Sequence, residues 1–355
     1  MDDTAYVQAA IDSGEAFFPA RTYRLTAPIK ITKPVTIVGE PPSITNMGGT
    51  WFHIDHDGVG FDLNNAKGYY SGVVMGSFGT YRNQPEPASN WQPYDYGFDI
   101  SIFGITDVNL SNLILLNPTR GIKQSGGGGR INIDNIQMQP FKVGIQIDSA
   151  YDVCRISNIH AWAFWKDQAD VHKYMLQNLK GISLGRCDNP MLTNIFTIFA
   201  QSGLHFYQNA EGATSKMHLV NADFDAGING IWVDSSVTNG VSGQFANITH
   251  QGYDDSDSSV GLLVAGTSSN LSFSSIKTMF CGANGLRVDG SGNRITIGDA
   301  SVLYYNQGRK GFPAVEVAAN NTMVFGQQPF IVTNAIGPQY GGAGEITTPV
   351  AQKVN

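Results

Sequence analysis

Charge is scarce in this chain of 355 residues: Asp, Glu, Lys and Arg together make up 14% of it, and the formal net charge is -7. With no basic excess there is no stripe to neutralise phosphates, so a nucleic-acid partner is not expected. Long apolar runs are missing too, which speaks against membrane insertion, and the start MDDTAYVQAA has neither the basic nor the apolar region of a signal peptide. Cysteine is nearly absent. Cys154, Cys187 and Cys281 are odd in number and share no metal-ligand spacing, so they read as free thiols, with Cys154 at a buried position. Neither a metal centre nor another cofactor is indicated. What the chain has instead is glycine, 41 residues of it, with frequent Asn and Ser, and an apolar content of 42% that suffices for a sizeable core. That mixture suits many short strands joined by turns.

The strands announce themselves by a repeat. VNLSNL, INIDNI, CRISNI, PMLTNI, MHLVNA and GQFANI each place an apolar residue two before an asparagine, which falls at Asn112, Asn135, Asn158, Asn194, Asn221 and Asn247; Ser275, Asp299 and Gln327 continue the series. The period within each segment is two, the mark of a half-buried strand. A second series opens on glycine: GIKQ, GIQI, GISL, GLHF, GIWV, GLLV and GLRV, with AVEV as its last member. Each coil then holds a Gly-led strand, a bend, a strand ending on Asn and a short third strand. Stacked bends let Asn amides bond up the stack, and Asn tolerates the left-handed backbone such a bend needs. The fold class this predicts is an all-β parallel β-helix, a solenoid whose open end is capped by a short N-terminal helix with Asp2 or Asp3 at its start, Val7, Ala10 and Ile11 on its inner face and Gly14 at its stop. We read residues 1-40 as cap and first strands, 41-340 as helix and 341-355 as a C-terminal tail.

The opening run DDTAYVQAAIDSGEAFFPARTYRL resembles the start of the pectate-lyase-like β-helix superfamily, with Arg21 where that family often has Gly. NQPEPASNWQPYDYGFDIS (83 to 101), the ladder coil and NIHAWAFW (158 to 165) together resemble bacteriophage tailspikes that cleave surface polysaccharides. The resemblance implies a right-handed helix, a homotrimer, a place in the virion tail and extracellular cleavage of a bacterial capsule, exopolysaccharide or O-antigen. The sequence does not include the particle-binding region of a full tailspike. It also lacks the paired-Asp signature of polygalacturonases and the basic motif of pectate lyases, so candidate residues come from strand geometry.

Alternation turns the third and fifth residues of each Gly-led strand outward. His205, Tyr207, Trp232 and Asp234 then form an aromatic and polar patch suited to a sugar ring, with Arg287 further along the same column; outward aromatics of this kind serve equally as a subunit contact. In NADFDAG, Asp223 and Asp225 flank an inward Phe224 and share a face, about 6.8 Å apart at Cα. Paired carboxyls at that spacing suit glycoside hydrolysis with inversion, one as acid and the other as base. Asp254, in THQGYDDSDSSVG and next in the stack to Asp223 and Asp225, and Glu211, in NAEGATS and bordering the aromatic patch, are the alternative carboxylates, with Trp232 and His205 expected to hold the sugar for the pair. The widest gap, from Asn158 to Asn194, carries an insertion that leaves Trp162 partly exposed beside His160, either a groove wall or a subunit contact. Endo-hydrolysis of a glycan is the expected activity. A lyase using His205, Tyr207 and Arg287 on a uronate, or a non-catalytic adhesin, would use the same outward residues.

Overall fold

The computed structural model describes residues 1–65, 70–253, 257–332 and 337–349. Its strands form two long parallel sheets, one of 16 strands and one of 12, around a shared apolar interior. From Phe98 to Val317 consecutive strands alternate between the two, which makes the chain a parallel β-helix. We call the sheet that carries the asparagines the ladder sheet and the sheet of Gly-led strands the glycine sheet. Pairing reaches both ends of the described stack: Glu15–Phe18 pairs with Val35–Gly39, and Glu345–Thr347 with Thr322–Phe325.

The coil is simpler than expected. Instead of stopping at the asparagine, the ladder strand continues through it, as in Ile131–Met138 and Cys154–Ala161, so the second and third strands are one bent element. The bend is a single left-handed residue. All six ladder asparagines have φ between 54° and 58°, a backbone that costs other L-residues more. Their amides bond upward as predicted, from Asn135 to Asn112 (2.8 Å), Asn194 to Asn158 (3.0 Å), Asn221 to Asn194 (3.2 Å) and Asn247 to Asn221 (3.0 Å). One step differs: the Asn158 amide donates to the Asp134 carboxylate at 2.8 Å, because Asp134 stands one residue before Asn135 and accepts more strongly. The run closes where the Ser275 hydroxyl donates to Asn247 Oδ1. Asp299 keeps its register beside Ser275, whereas Gln327 falls beyond its strand, so the amide stack is shorter than the spacing suggested.

Close approach explains the glycine series. A Cβ on Gly121 would lie 2.4 Å from the carbonyl oxygen of Gly144, and one on Gly144 would lie 2.4 Å from that of Gly181. At this corner successive coils pass too closely for a side chain. The cap is α1 (Thr4–Asp12), which inserts Val7 and Ile11 into the first coil, with Ala10 packed beside them. The Asp2 carboxylate accepts the Thr4 N–H, and Asp3 turns away to accept from Arg21 and the Arg24 backbone. All three cysteines are buried free thiols, and burial pushes those of Cys154 and Cys281 up to about 12.

One interior position carries a polar group whose burial has a measurable consequence. His250 is 0% exposed; its Nδ1 donates to the Phe224 carbonyl at 2.9 Å, and its Nε2 has no partner among the described residues. Burial pushes its pKa down to about 4 from 6.5. The unfolded chain therefore takes up a proton that the folded one refuses, so stability is full above pH 6.5 and is lost as pH falls toward 4. The expected loss by pH 4.5 is about 2 to 3 kcal/mol. Urea unfolding at pH 7 and 4.5 checks this: the acid loss should shrink by that amount in His250→Leu, and an unchanged pH slope would refute it.

Candidate active site

The residue two places after each ladder asparagine points outward on the far limb of the bend. Reading up the stack, that column runs Gln137, His160, Phe196, Asp223, Thr249 and Lys277, each in register with the next. A second column, two residues further along, sets Ile198 beside Asp225. The carboxylate pair thus shares one face with an aromatic platform on the rungs below. His160 lies 5.3 Å from Phe196 and 5.0 Å from Phe164, and Trp162 lies 5.9 Å from Phe196 and is 39% exposed. A shallow groove of about 400 Å³ runs past Phe196, Asp223 and Thr249.

Electrostatics separate the two acids. Loss of hydration raises both pKa values above the ordinary carboxylate value. Asp223 is raised further by the charge of Asp225, against a weaker pull from Lys277, whereas the Ala226 N–H draws Asp225 back down. The neighbouring charge thus marks Asp223 as the candidate acid and leaves Asp225 as the candidate base.

The insertion packs beside the Phe199 turn that follows the Phe196 strand. Its helix α2 (Ala169–Asn178) sends His172 to stack on Phe199 at 3.8 Å, and the Phe199 N–H donates to the Asp225 carbonyl. Behind it Val171, Met175 and Leu179 pack with Trp91 and Phe141, fixing α2 to the loop that follows Arg82.

The aromatic and polar patch expected to adjoin these acids lies elsewhere. His205, Tyr207, Trp232 and Asp234 belong to the glycine sheet or follow its strands, while Asp223 and Asp225 lie on the Met217–Gly227 strand of the ladder sheet. The corner between Gly227 and Asn229 separates them, a turn that periodicity alone does not place. Nor does His205 face solvent: it is 7% exposed, held by Ser183 Oγ at Nδ1 (2.9 Å) and by Asp234 Oδ2 at Nε2 (2.9 Å), with Trp232 packed on it at 4.8 Å. Tyr207 folds across Gly185, whose missing side chain makes room for its ring, and donates to Asp148 Oδ1 at 2.7 Å. Arg287 is two rungs from Trp232, with Leu263 between them, and pairs with Asp289 at 2.7 Å. Glu211 accepts from the Tyr151 hydroxyl on the glycine-sheet side, away from the acid pair. Asp254 lies outside the described residues.

Phe164, Phe196, Thr249 and Lys277 were missed in the sequence. The signal was present for three of them, since Phe196 and Thr249 stand two after Asn194 and Asn247, as His160 and Asp223 do after their own asparagines, and Lys277 stands two after Ser275. Among the described residues no group of three or more His, Cys, Asp or Glu is placed to hold a metal ion, and no helix is long and apolar enough to cross a membrane.

No protein-family model and no curated protein sequence matches this chain. Among solved structures it is similar to the pre-mature bacteriophage phi29 gene product 12, with a TM-score of 0.60 and 13% identity over 98% of this chain and 53% of that one. The chain therefore spans about half the length of that protein. Weaker likenesses include the siphovirus 9NA tailspike receptor binding domain (TM-score 0.46, 11% identity, 98% of this chain and 76% of that one) and an endo-xylogalacturonan hydrolase from Aspergillus tubingensis (TM-score 0.43, 11% identity, 100% and 95%). At such identities the shared feature is the architecture: this chain has the parallel β-helix fold found in the phage protein.

Proposed function

We propose that the chain is a phage tailspike-like depolymerase that cleaves glycosidic bonds within a bacterial surface polysaccharide by carboxylate-based hydrolysis. The observation that carries this is the placing of Asp223 and Asp225 on one outward face, beside the platform of His160, Trp162 and Phe196. Sugar rings stack on such a platform by their apolar faces, which sets the next glycosidic oxygen over the carboxyl pair. Asp223, whose carboxyl is raised by lost hydration and by the charge of Asp225, protonates the leaving oxygen, and Asp225 activates water. Two residues along a strand separate the Cα atoms by about 6.8 Å, and inversion follows where the side chains keep the carboxyl groups that far apart. The same fold in a bacteriophage protein supports a phage setting for this reading. In this reading the protein works as a homotrimer.

The test is incubation with a panel of capsular and O-antigen polysaccharides and mass spectrometry of what is released. Fully hydrated oligosaccharides are expected. Fragments lighter by one water, with an unsaturated end, would instead make it a lyase, and binding to a panel member without shortening would make it an adhesin. Sedimentation at micromolar concentration should give three times the monomer mass.

A further inference from the structure

The glycine sheet carries a polar array that the acid pair does not use. Ser183, His205 and Asp234 lie on successive rungs, joined as hydroxyl to Nδ1 (2.9 Å) and Nε2 to carboxylate (2.9 Å). Asp234 is itself fixed by the Ser236 N–H at 2.7 Å and by the Ser236 hydroxyl. Burial pushes its carboxyl up, but the bonds from His205 and Ser236 outweigh that and hold it below the ordinary range. An anchored carboxylate sets the imidazole tautomer: Nε2 carries the proton given to Asp234, which leaves Nδ1 free to accept from Ser183. The ring uses its nitrogens in the opposite order from the serine proteases, with the relay intact. A cation completes the group, since Lys180 Nζ stands 5.9 Å from the Trp232 ring and beside Asp234, where burial lowers its pKa.

We propose that Ser183, His205 and Asp234 form a second catalytic centre, an esterase that removes a short acyl group from a sugar hydroxyl. Ser183 Oγ bonds to the acyl carbon as its proton passes to His205 Nδ1, and the acyl oxygen becomes an oxyanion. The carbon–oxygen bond to the sugar then breaks, and the sugar oxygen takes the proton from Nδ1. Water, deprotonated by the same nitrogen, attacks the acyl carbon; the carbon–Oγ bond then breaks, Ser183 Oγ takes the proton back from Nδ1, and the carboxylic acid is released. Asp234 is a positioning residue for the imidazole. Burial decides the acyl length. Ser183 is 5% exposed, so a short acyl group such as acetyl is the substrate proposed and a long chain is not. The centre is independent of Asp223 and Asp225, which lie on the other sheet.

Two measurements test it with p-nitrophenyl acetate and a fluorophosphonate. The fluorophosphonate is expected to label Ser183, found by peptide mass mapping, and to stop acetate turnover. Ser183→Ala, a change of one oxygen that leaves the strand intact, should lower kcat by a factor on the order of 100 or more. Asp234→Asn should lower kcat with KM unchanged, and Asp234→Glu should restore part of it. An unlabelled Ser183 in the folded protein, or wild-type acetate turnover in Ser183→Ala, would overturn the proposal.

Discussion

Asp225→Asn and Asp223→Asn should each lower polysaccharide cleavage by a factor on the order of 100 to 10,000, the usual contribution of one positioned acid or base. The two losses should differ in kind. Without Asp225 no carboxylate activates the water, and a small nucleophile such as azide, needing no deprotonation, should restore turnover in Asp225→Asn. Without Asp223 the leaving oxygen departs unprotonated, so Asp223→Asn should retain more activity on a substrate with a good leaving group. The double variant should lose little beyond the worse single one, because the pair acts as a unit. The wild-type pH profile follows from the two shifts. Cleavage should fall in acid as Asp225 takes a proton and fall at higher pH as Asp223 gives one up, with both carboxyls raised above the ordinary carboxylate value. Rates of oligosaccharide release across pH, in each variant, check all of this. Full activity in both single variants would remove the carboxylate mechanism.

Arg82→Met should be the most damaging single change to stability, costing about 3 to 5 kcal/mol, because it strands a buried carboxylate. Arg82 and Asp99 are both 0% exposed and joined at 2.7 Å; Thr80 donates a second bond to Asp99 at 2.6 Å. Burial pushes the Asp99 carboxyl up, and the guanidinium and the Thr80 hydroxyl pull it back. The guanidinium also donates to the carbonyls of His56 (2.8 Å) and Gly58 (3.0 Å), and the Asn117 side chain bonds the Arg82 backbone on both its groups. Denaturant midpoints should show Asp99→Asn nearly as harmful as Arg82→Met. Replacing both at once by Met and Leu should recover much of the loss, since no unpaired charge is then buried. The loop from Asn83 to Gly97 hangs from this pair and carries Trp91, which packs with α2 and Phe199, the residue bonded to the Asp225 carbonyl. Cleavage should therefore drop in Arg82→Met before the helix itself unfolds.

The fold was legible because each coil repeats the same demands: an asparagine where the backbone turns left-handed, a glycine where coils nearly touch, apolar residues between. The acid pair was legible for the same reason, since alternation about Phe224 sends Asp223 and Asp225 outward. What could not be read was how the columns sit around the cross-section. Nothing in the period marks the corner at Ile228, so Trp232 and Asp225 seemed neighbours when they lie on different sheets. The burial of His205 was equally hidden, for it depends on Trp232 packing over it and Tyr207 lying across Gly185. His250 gave a different lesson. Its inward place followed from the alternation, but that its ring would be left with one unmet nitrogen depends on three-dimensional neighbours.

The bond from Asn194 to Asn158 is 3.0 Å long although 36 residues separate the two, the same kind of bond that Asn135 and Asn112 make across 23. The stack is thus indifferent to how much chain passes between its steps. Such a frame lets whole segments be gained, lost or traded at the corners over evolutionary time without reinventing the interior. A lineage built on it could meet a changing host coat by exchanging its insertions, keeping the scaffold as common inheritance.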